Sequence, residues 1–503
     1  MPVAPAAIAR FVDARLATLP PELRPRSRRP DARVVWGRFG GVVAFPRRDP
    51  DGKVRVVVND QASRYAFDHV TKLELGPDGG TPRYVGNDGG RPGGAPDLVV
   101  GGTDVLVVGD QRGEPHLQVL PLHGSADHDV VLEADHGATG RRRERLVFAG
   151  HPGPWLDEAE FSTLAWLPDG TPTYRATLDG ARRVVIGDDV GPAFERASAP
   201  HTAARAAVVA YAAGARAEAH RYVGRTRGPR YDDIGELEVG PDGTVAFEAA
   251  RGADRVAVIG DRELGPYRRV HEITFAPSGR VAFAARQLDE RWVVVVDGEP
   301  DPPVGGVREL TISPDGAHVA YAAFVEGSMH APQVLVLDGK VISAPVEGLS
   351  QLRWSRDGAH LAAVARTDQR QTQVLLDGQP GPLYDQAGSP VFDSGGKLIY
   401  EARRGAAWCI VRAGAEQCHD DVGEPGMIAG NDASNFVLDP SGRHVAYAAR
   451  IGDRWTVVLD GVPGPLADVV WRPVFSGDGA AVGWGARVGD ELWWKVTPVR
   501  APE

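Results

Sequence analysis

The sequence predicts an all-β protein, a β-propeller of about twelve four-stranded blades. Three observations predict it. One short turn is rewritten along the chain, as "SPDGAHVAY" at 313–321, "SRDGAHLAA" at 355–363 and "DPSGRHVAY" at 439–447. Its turn glycine recurs at Gly79, Gly170, Gly243, Gly279, Gly316, Gly358, Gly395, Gly442 and Gly479, and from Gly243 the steps are 36, 37, 42, 37, 47 and 37 residues. The strand and turn signals around each copy keep a fixed order. A repeat period of this size marks a solenoid or a propeller.

Within a unit, an apolar strand such as "ELTI" (309–312) comes first. Ser-Pro-Asp-Gly then suits a type I turn, with Ser at the first position, Pro presetting φ, and Gly taking the left-handed position. An alternating strand follows ("HVAYAA", 318–323), then a β-branched strand ending in Asp-Gly: "WVVVVDG", "QVLVLDG", "QVLLDG", "WTVVLDG". Asp-Gly between strands is the strongest short hairpin signal. Gly-Pro with a following aromatic or apolar residue closes the unit, at Gly191, Gly228, Gly265 and Gly381. Each unit therefore reads as a four-stranded meander of blade size. Such a sheet buries neither face alone, so neighbours stack on it. Degenerate units at 39–45, 127–134 and 205–213 bring the count to twelve.

The in-register Ser-Pro-Asp-Gly turns, each followed by an apolar strand, resemble those of the TolB-like β-propellers over about residues 34–503. The chain is less similar to the tryptophan–aspartate (WD) repeat propellers, since no Trp-Asp dipeptide occurs. Two six-bladed propellers, 34–270 and 271–503, are the simplest grouping. The last unit ends after "ELWWKVTPV" without its fourth strand, which leaves room for another segment of the chain to complete that blade. Residues 1–33 are read as a helix and a basic linker: Ile8, Phe11, Val12, Leu16 and Leu19 have helical spacing, and "RPRSRRP" (24–30) joins them to the blades.

Composition bounds the function. The chain has 503 residues, 62 Gly, 40 Pro and a net charge of −11, which suits a soluble repeat protein and argues against generic nucleic-acid binding. No apolar stretch reaches membrane-spanning length, and the N-terminus has no signal-peptide core. A cytoplasmic location is expected, unlike that of TolB itself. Lysine occurs only at 53, 72, 340, 397 and 495, a codon bias that points to a high-GC bacterial genome. Cys409 and Cys418 flank an expected hairpin turn and are read as reduced, buried thiols, able to face each other if the loop length suits.

TolB-like propellers precede catalytic domains in some peptidases, but here the blades take up the chain. No Gly-x-Ser-x-Gly, His-Glu-x-x-His, phosphate-loop or dinucleotide motif is present, so no catalytic residue, metal ligand or cofactor is assigned. His318, His360 and His444 share one position after the turn, which suggests a shared local environment. His116, His123, His128 and His136, interleaved with Asp127, Asp129 and Asp135, are metal-capable types at a spacing that matches no standard site. "GRRRERL" (140–146) reads as a solvated basic loop that could hold an acidic partner. Trp292 and Trp455 read as packing between blades. The lengthened segments 324–333 and 423–435 are where an array places binding. The expected function is a non-enzymatic scaffold or regulator, binding a protein partner such as a signalling or transcription factor. The rivals are an enzyme or metabolite or metal binder using a propeller channel, and a structural spacer.

Overall fold

The computed structural model describes residues 14–19, 34–37, 41–76, 79–92, 99–100, 102–122, 130–136, 140–328, 330–367, 370–423 and 434–499. Among them every regular element is a strand, and no helix is long and apolar enough to cross a membrane. The strands form twelve antiparallel meanders, with one extra two-stranded ribbon at Arg91–Pro92 and Val99–Val100. The chain is thus a twelve-bladed β-propeller. In chain order the blades are 1 (35–62), 2 (69–116), 3 (118–152), 4 (158–190), 5 (196–231), 6 (233–267), 7 (269–300), 8 (306–341), 9 (348–380), 10 (386–419), 11 (421–463) and 12 (469–498 with 14–18).

Two compact units are present, one of residues 1–155, 406–410 and 417–503, the other of 156–405 and 411–416. The break expected at 270 falls inside the second unit, where Val270, Ile273 and Phe283 of blade 7 pack on Ala246 and Ala257 of blade 6.

The repeated turn closes itself. In blade 8, Gly316 N–H donates to Ser313 O (2.8 Å), His318 N–H to Ser313 Oγ (2.9 Å), and Ala317 N–H to Asp315 Oδ1 (3.0 Å). Ser355 and Ser476 repeat the pattern. In "FDSGGK" the left-handed residue is Gly396 rather than Gly395, because Asp393 takes the serine's place and Gly396 N–H reaches its carbonyl.

Strand two of each blade lies between two neighbouring blades. In Val319–Phe324 every residue is buried, where alternation was expected. Tyr321 and Ala323 face blade 7, and Ala320 and Ala322 face blade 9. Period-2 geometry still holds, but both faces are covered, so the alternation is of large against small residues. The residue after Gly-Pro-x then stitches the blade's outer edge, exchanging both backbone hydrogen bonds with the start of strand three. Arg182 with Phe194, Thr372 with Tyr384, and Trp455 with Ala467 are examples, and Val304 does the same for Trp292 after Asp-Pro-Pro.

Blade 12 is completed from the other end of the chain. Ala14–Thr18 pairs antiparallel with Glu491–Pro498, Thr18 opposite Glu491 and Ala17 opposite Leu492. The expected helix over 6–19 is therefore a strand where the structure describes it; its earlier residues and the basic linker lie outside the described residues. Ala17 and Leu19 enter a core with Val43, Phe45, Val469, Trp471 and Leu492. An unfilled sheet edge, rich in unpaired N–H and C=O groups, outweighs weak helical spacing.

Candidate functional site

In a meander, hairpins one and three open on one face, while hairpin two and the link to the next blade open on the other. The first face is occupied by structural chemistry. The Asp of each Asp-Gly turn sits at positive φ, as in Asp338 (46°), Asp377 (50°) and Asp460 (46°). It reaches back across the blade. Asp338 Oδ1 accepts the N–H of Val319 (2.9 Å) and Oδ2 meets His318 Nδ1 (2.7 Å). Asp377 does the same with Leu361 and His360, and Asp460 with Val445 and His444. In blade 7 Arg280 replaces the histidine, 2.9 Å from Asp297. His318 and His360 also stack on Trp354 and Phe392 of the following blade. The shared histidine position thus belongs to a turn clamp.

The second face obeys a different rule, which six blades keep. The residue after the stitching position is Asp, and its carboxylate accepts the glycine N–H of hairpin two. The pairs are Asp68–Gly89 (2.9 Å), Asp157–Gly180 (3.4 Å), Asp232–Gly252 (2.6 Å), Asp385–Gly405 (2.6 Å), Asp420–Gly452 (2.7 Å) and Asp468–Gly489 (2.7 Å). A charge-assisted bond to a backbone N–H is a strong one.

Among the described residues, blades 1, 3, 5, 7, 8 and 9 do not keep it, and of these blades 7, 8 and 9 are the consecutive ones. Arg268, Gly305 and Glu347 stand where the Asp would be, and hairpin two is longer, spanning 287–291, 325–332 and 367–371. The blade 7 hairpin is held by Gln287 N–H to Arg291 O (2.8 Å) and Glu290 N–H to Gln287 O (3.0 Å), with Arg286 paired to Glu290. It leaves Leu288 49% exposed. In blade 8, Val325 N–H donates to Pro332 O (2.9 Å) and Ala331 N–H to Ser328 O (3.0 Å), while Val325 is 53% exposed. Gly305 is required there: a Cβ on it would lie 2.2 Å from the Glu326 backbone. These hairpins hold Leu288 and Val325 in water.

The other lengthened segment leaves the chain elsewhere. Val422 pairs with Ala449 and Phe436 with Tyr447, so 423–435 departs from and returns to the first strand of blade 11. Residues 424–433 lie outside the described residues, as do His123, Asp127, His128 and Asp129. His116 lies against Asp135 (2.9 Å) and Glu133 (3.5 Å), and the second carboxylate also binds Arg145. Among the described residues, none of the selected histidines gathers two further ligands within metal-binding reach.

"GRRRERL" is mostly strand rather than loop, since Arg142–Phe148 pairs with Val130–His136. Arg142 binds Glu144, Arg143 donates to Trp155 O (2.6 Å), and Arg145 lies over the Trp155 ring (4.5 Å). Trp455 is buried between blades 11 and 12, and Trp292 packs, partly buried, between blades 7 and 8. Cys409 and Cys418 form a disulfide, which corrects the reading as reduced thiols; Cys409 is buried and Cys418 exposed.

Two features were not visible in the sequence. The first strands carry bulges with non-glycine residues at positive φ: Lys72, Glu272, Glu309, Gln351 and Ser389. Their side chains and amides link blade to blade. Glu236 accepts from Glu272 N–H (3.0 Å) and Ile273 N–H (2.7 Å), Glu272 from Leu310 N–H (2.7 Å), and Gln351 from Ser389 N–H (2.8 Å). Burial pushes the Glu236 and Glu272 carboxyls up, and the backbone donors pull against it. Beside them His271 packs edge-on to Trp292 (4.7 Å), and its burial lowers its pKa to about 4. That imidazole is neutral near pH 7. The signal that could have found the bulges is the in-phase Glu236, Glu272 and Glu309, at steps of 36 and 37.

No family model matches the chain, so the TolB-like resemblance rests on the turn motif alone. No curated protein matches it either. One of the solved structures it resembles, "Structure of Dos1 propeller", aligns over 58% of this chain and 90% of that one, at 11% identity and a TM-score of 0.29. A likeness that distant says nothing of function. The blade architecture stands on the chain's own sheets.

Proposed function

We propose that this protein is a non-enzymatic, TolB-like propeller that binds another protein through the hairpin face of blades 7–9. The observation that carries this reading is that, of the six blades without the clamp, 7, 8 and 9 are consecutive. All three have longer second hairpins, and those of blades 7 and 8 hold Leu288 and Val325 in water. A regulatory form, in which a signalling or transcription factor is sequestered, is the finer version. The test is affinity purification from native lysate with the full chain and with a variant whose 325–332 hairpin is replaced by the two-residue turn of blade 6. A near-stoichiometric partner that is lost from the variant supports the reading. Equal recovery from both sinks it.

The grouping of blades into two sets of six is also a proposal. Its support is a pattern of hairpin-two lengths: long in blades 1–3, two residues in 4–6, long in 7–9, two residues in 10–12. Location in the cell is a proposal too. The sequence favours the cytoplasm, whereas the Cys409–Cys418 disulfide supports an oxidising environment. Thiol alkylation of the protein taken directly from its native cells separates them.

A further inference from the structure

A cleft of about 280 Å³ opens between blades 11 and 12. One wall is Val457, Leu459, Asp460 and the outer segment Val462–Pro463–Gly464; the other is Val482, Trp484, Thr497 and Pro498. The Asp460 carboxylate is engaged away from the cleft, by Val445 N–H and His444. The cleft has a cause in the repeat. At the position of Trp484, strand two of blades 8 and 11 places a tyrosine whose hydroxyl reaches the preceding blade's outer segment. Tyr447 O–H donates to Gln417 Oε1 (2.9 Å), and Tyr321 O–H approaches Asp301 (3.4 Å).

In blade 12 the residue is tryptophan, and the outer strand it faces is "VPG", with no polar side chain to meet it. Trp484 is 1% exposed, yet its Nε1–H has no hydrogen-bond partner. The indole edge that carries Nε1 also carries Cζ2 and Cη2, which lie 3.5 Å from where a Cβ on Gly464 would be. That edge is turned to the cleft wall. A buried donor without an acceptor is destabilising, and a bound acceptor would remove that cost.

We propose that this cleft is a binding site for a small, uncharged, mainly apolar molecule that presents one acceptor oxygen to Trp484 Nε1, of the chemical class of an aryl ketone or ester. The size fits. An apolar cavity of about 150 Å³ takes up benzene, and this cleft is nearly twice as large. The walls are mostly apolar, with Asp460 and Thr497 the polar residues among them, and the single buried donor sets the ligand's orientation. The site is independent of the hairpin face of blades 7–9.

The test uses the full chain labelled with ¹⁵N-tryptophan, and acetophenone against ethylbenzene, which has a similar shape and no acceptor. The Trp484 indole resonance is assigned by its absence in Trp484→Phe. Acetophenone should shift that resonance saturably and downfield, and bind at least five-fold more tightly than ethylbenzene. Val462, 70% exposed at the cleft's edge, gives a variant that spares the core: Val462→Trp should abolish the shift while the other indole resonances stay in place. No saturable shift with either compound overturns the proposal. So does equal affinity for the two, or undiminished binding by Val462→Trp.

Discussion

Replacing Asp338 tests whether the Asp-Gly turn is a clamp or only a turn. Its side chain does two jobs while its backbone sits at φ 46°. Oδ1 satisfies the N–H of Val319, a residue 1% exposed, and Oδ2 meets His318. The His318 pair is nearly half exposed, 46% and 44%, so its loss costs below about 1 kcal/mol. Asp338→Asn keeps an acceptor for Val319 and tolerates the left-handed backbone, and it should lose only that small amount. Asp338→Ala orphans the Val319 amide, at about 1–3 kcal/mol, and keeps an unfavourable φ. Asp338→Gly orphans the amide too, but recovers about 1 kcal/mol of left-handed strain. The expected order of damage is Asn, then Gly, then Ala. Hydrogen exchange of the 313–325 segment reads it locally, with about tenfold faster exchange for each 1.4 kcal/mol. If Asn is as damaging as Ala, or Gly worse than Ala, the clamp is wrong.

Other outcomes follow from the same structure. Glu272→Gln should change with pH: the Glu272 carboxyl has a raised folded pKa through burial, so its contribution is present at low pH and lost as pH rises through that value. The variant's melting temperature should therefore gain on the parent's as pH rises from about 4 to about 8, and a constant difference would refute this. Gln351 already fills the equivalent role with an amide. Gly305→Ala places a Cβ on the Glu326 backbone; thermal unfolding should show a loss of about 1–3 kcal/mol, with exchange raised across 324–333. Reducing the Cys409–Cys418 bridge, which closes a loop with a sequence separation of 9, should cost at most about 3 kcal/mol. Melting with and without reductant measures it.

Much of the fold was legible in the sequence because its turns are chemically explicit. Ser-Pro-Asp-Gly and Asp-Gly demand particular backbone conformations, so counting them counted blades. What misled was apolar spacing without turn chemistry. Ala17 and Leu19 suit a helix face or a strand equally, and only the empty edge of blade 12 decides between them. Alternation in strand two was concealed because both faces are covered, as Tyr321 and Ala322 show. The site was harder to see. Long hairpins were visible at 324–333, but the clamp that blades 7–9 lack needs the Asp232–Gly252 geometry, which spacing alone does not reveal. The histidines were equally opaque until Asp338, Asp377 and Asp460 were seen beside them.

Site-specific photo-crosslinking decides most directly which face meets a partner. A benzophenone amino acid placed at Leu288 or Val325 samples the second face; one at Val341, 61% exposed on the first face, samples the opposite one. Illumination in native lysate should give one shared adduct from Leu288 and Val325 and none from Val341. An adduct formed from Val341 and absent from the other two positions would contradict the assignment of the binding face.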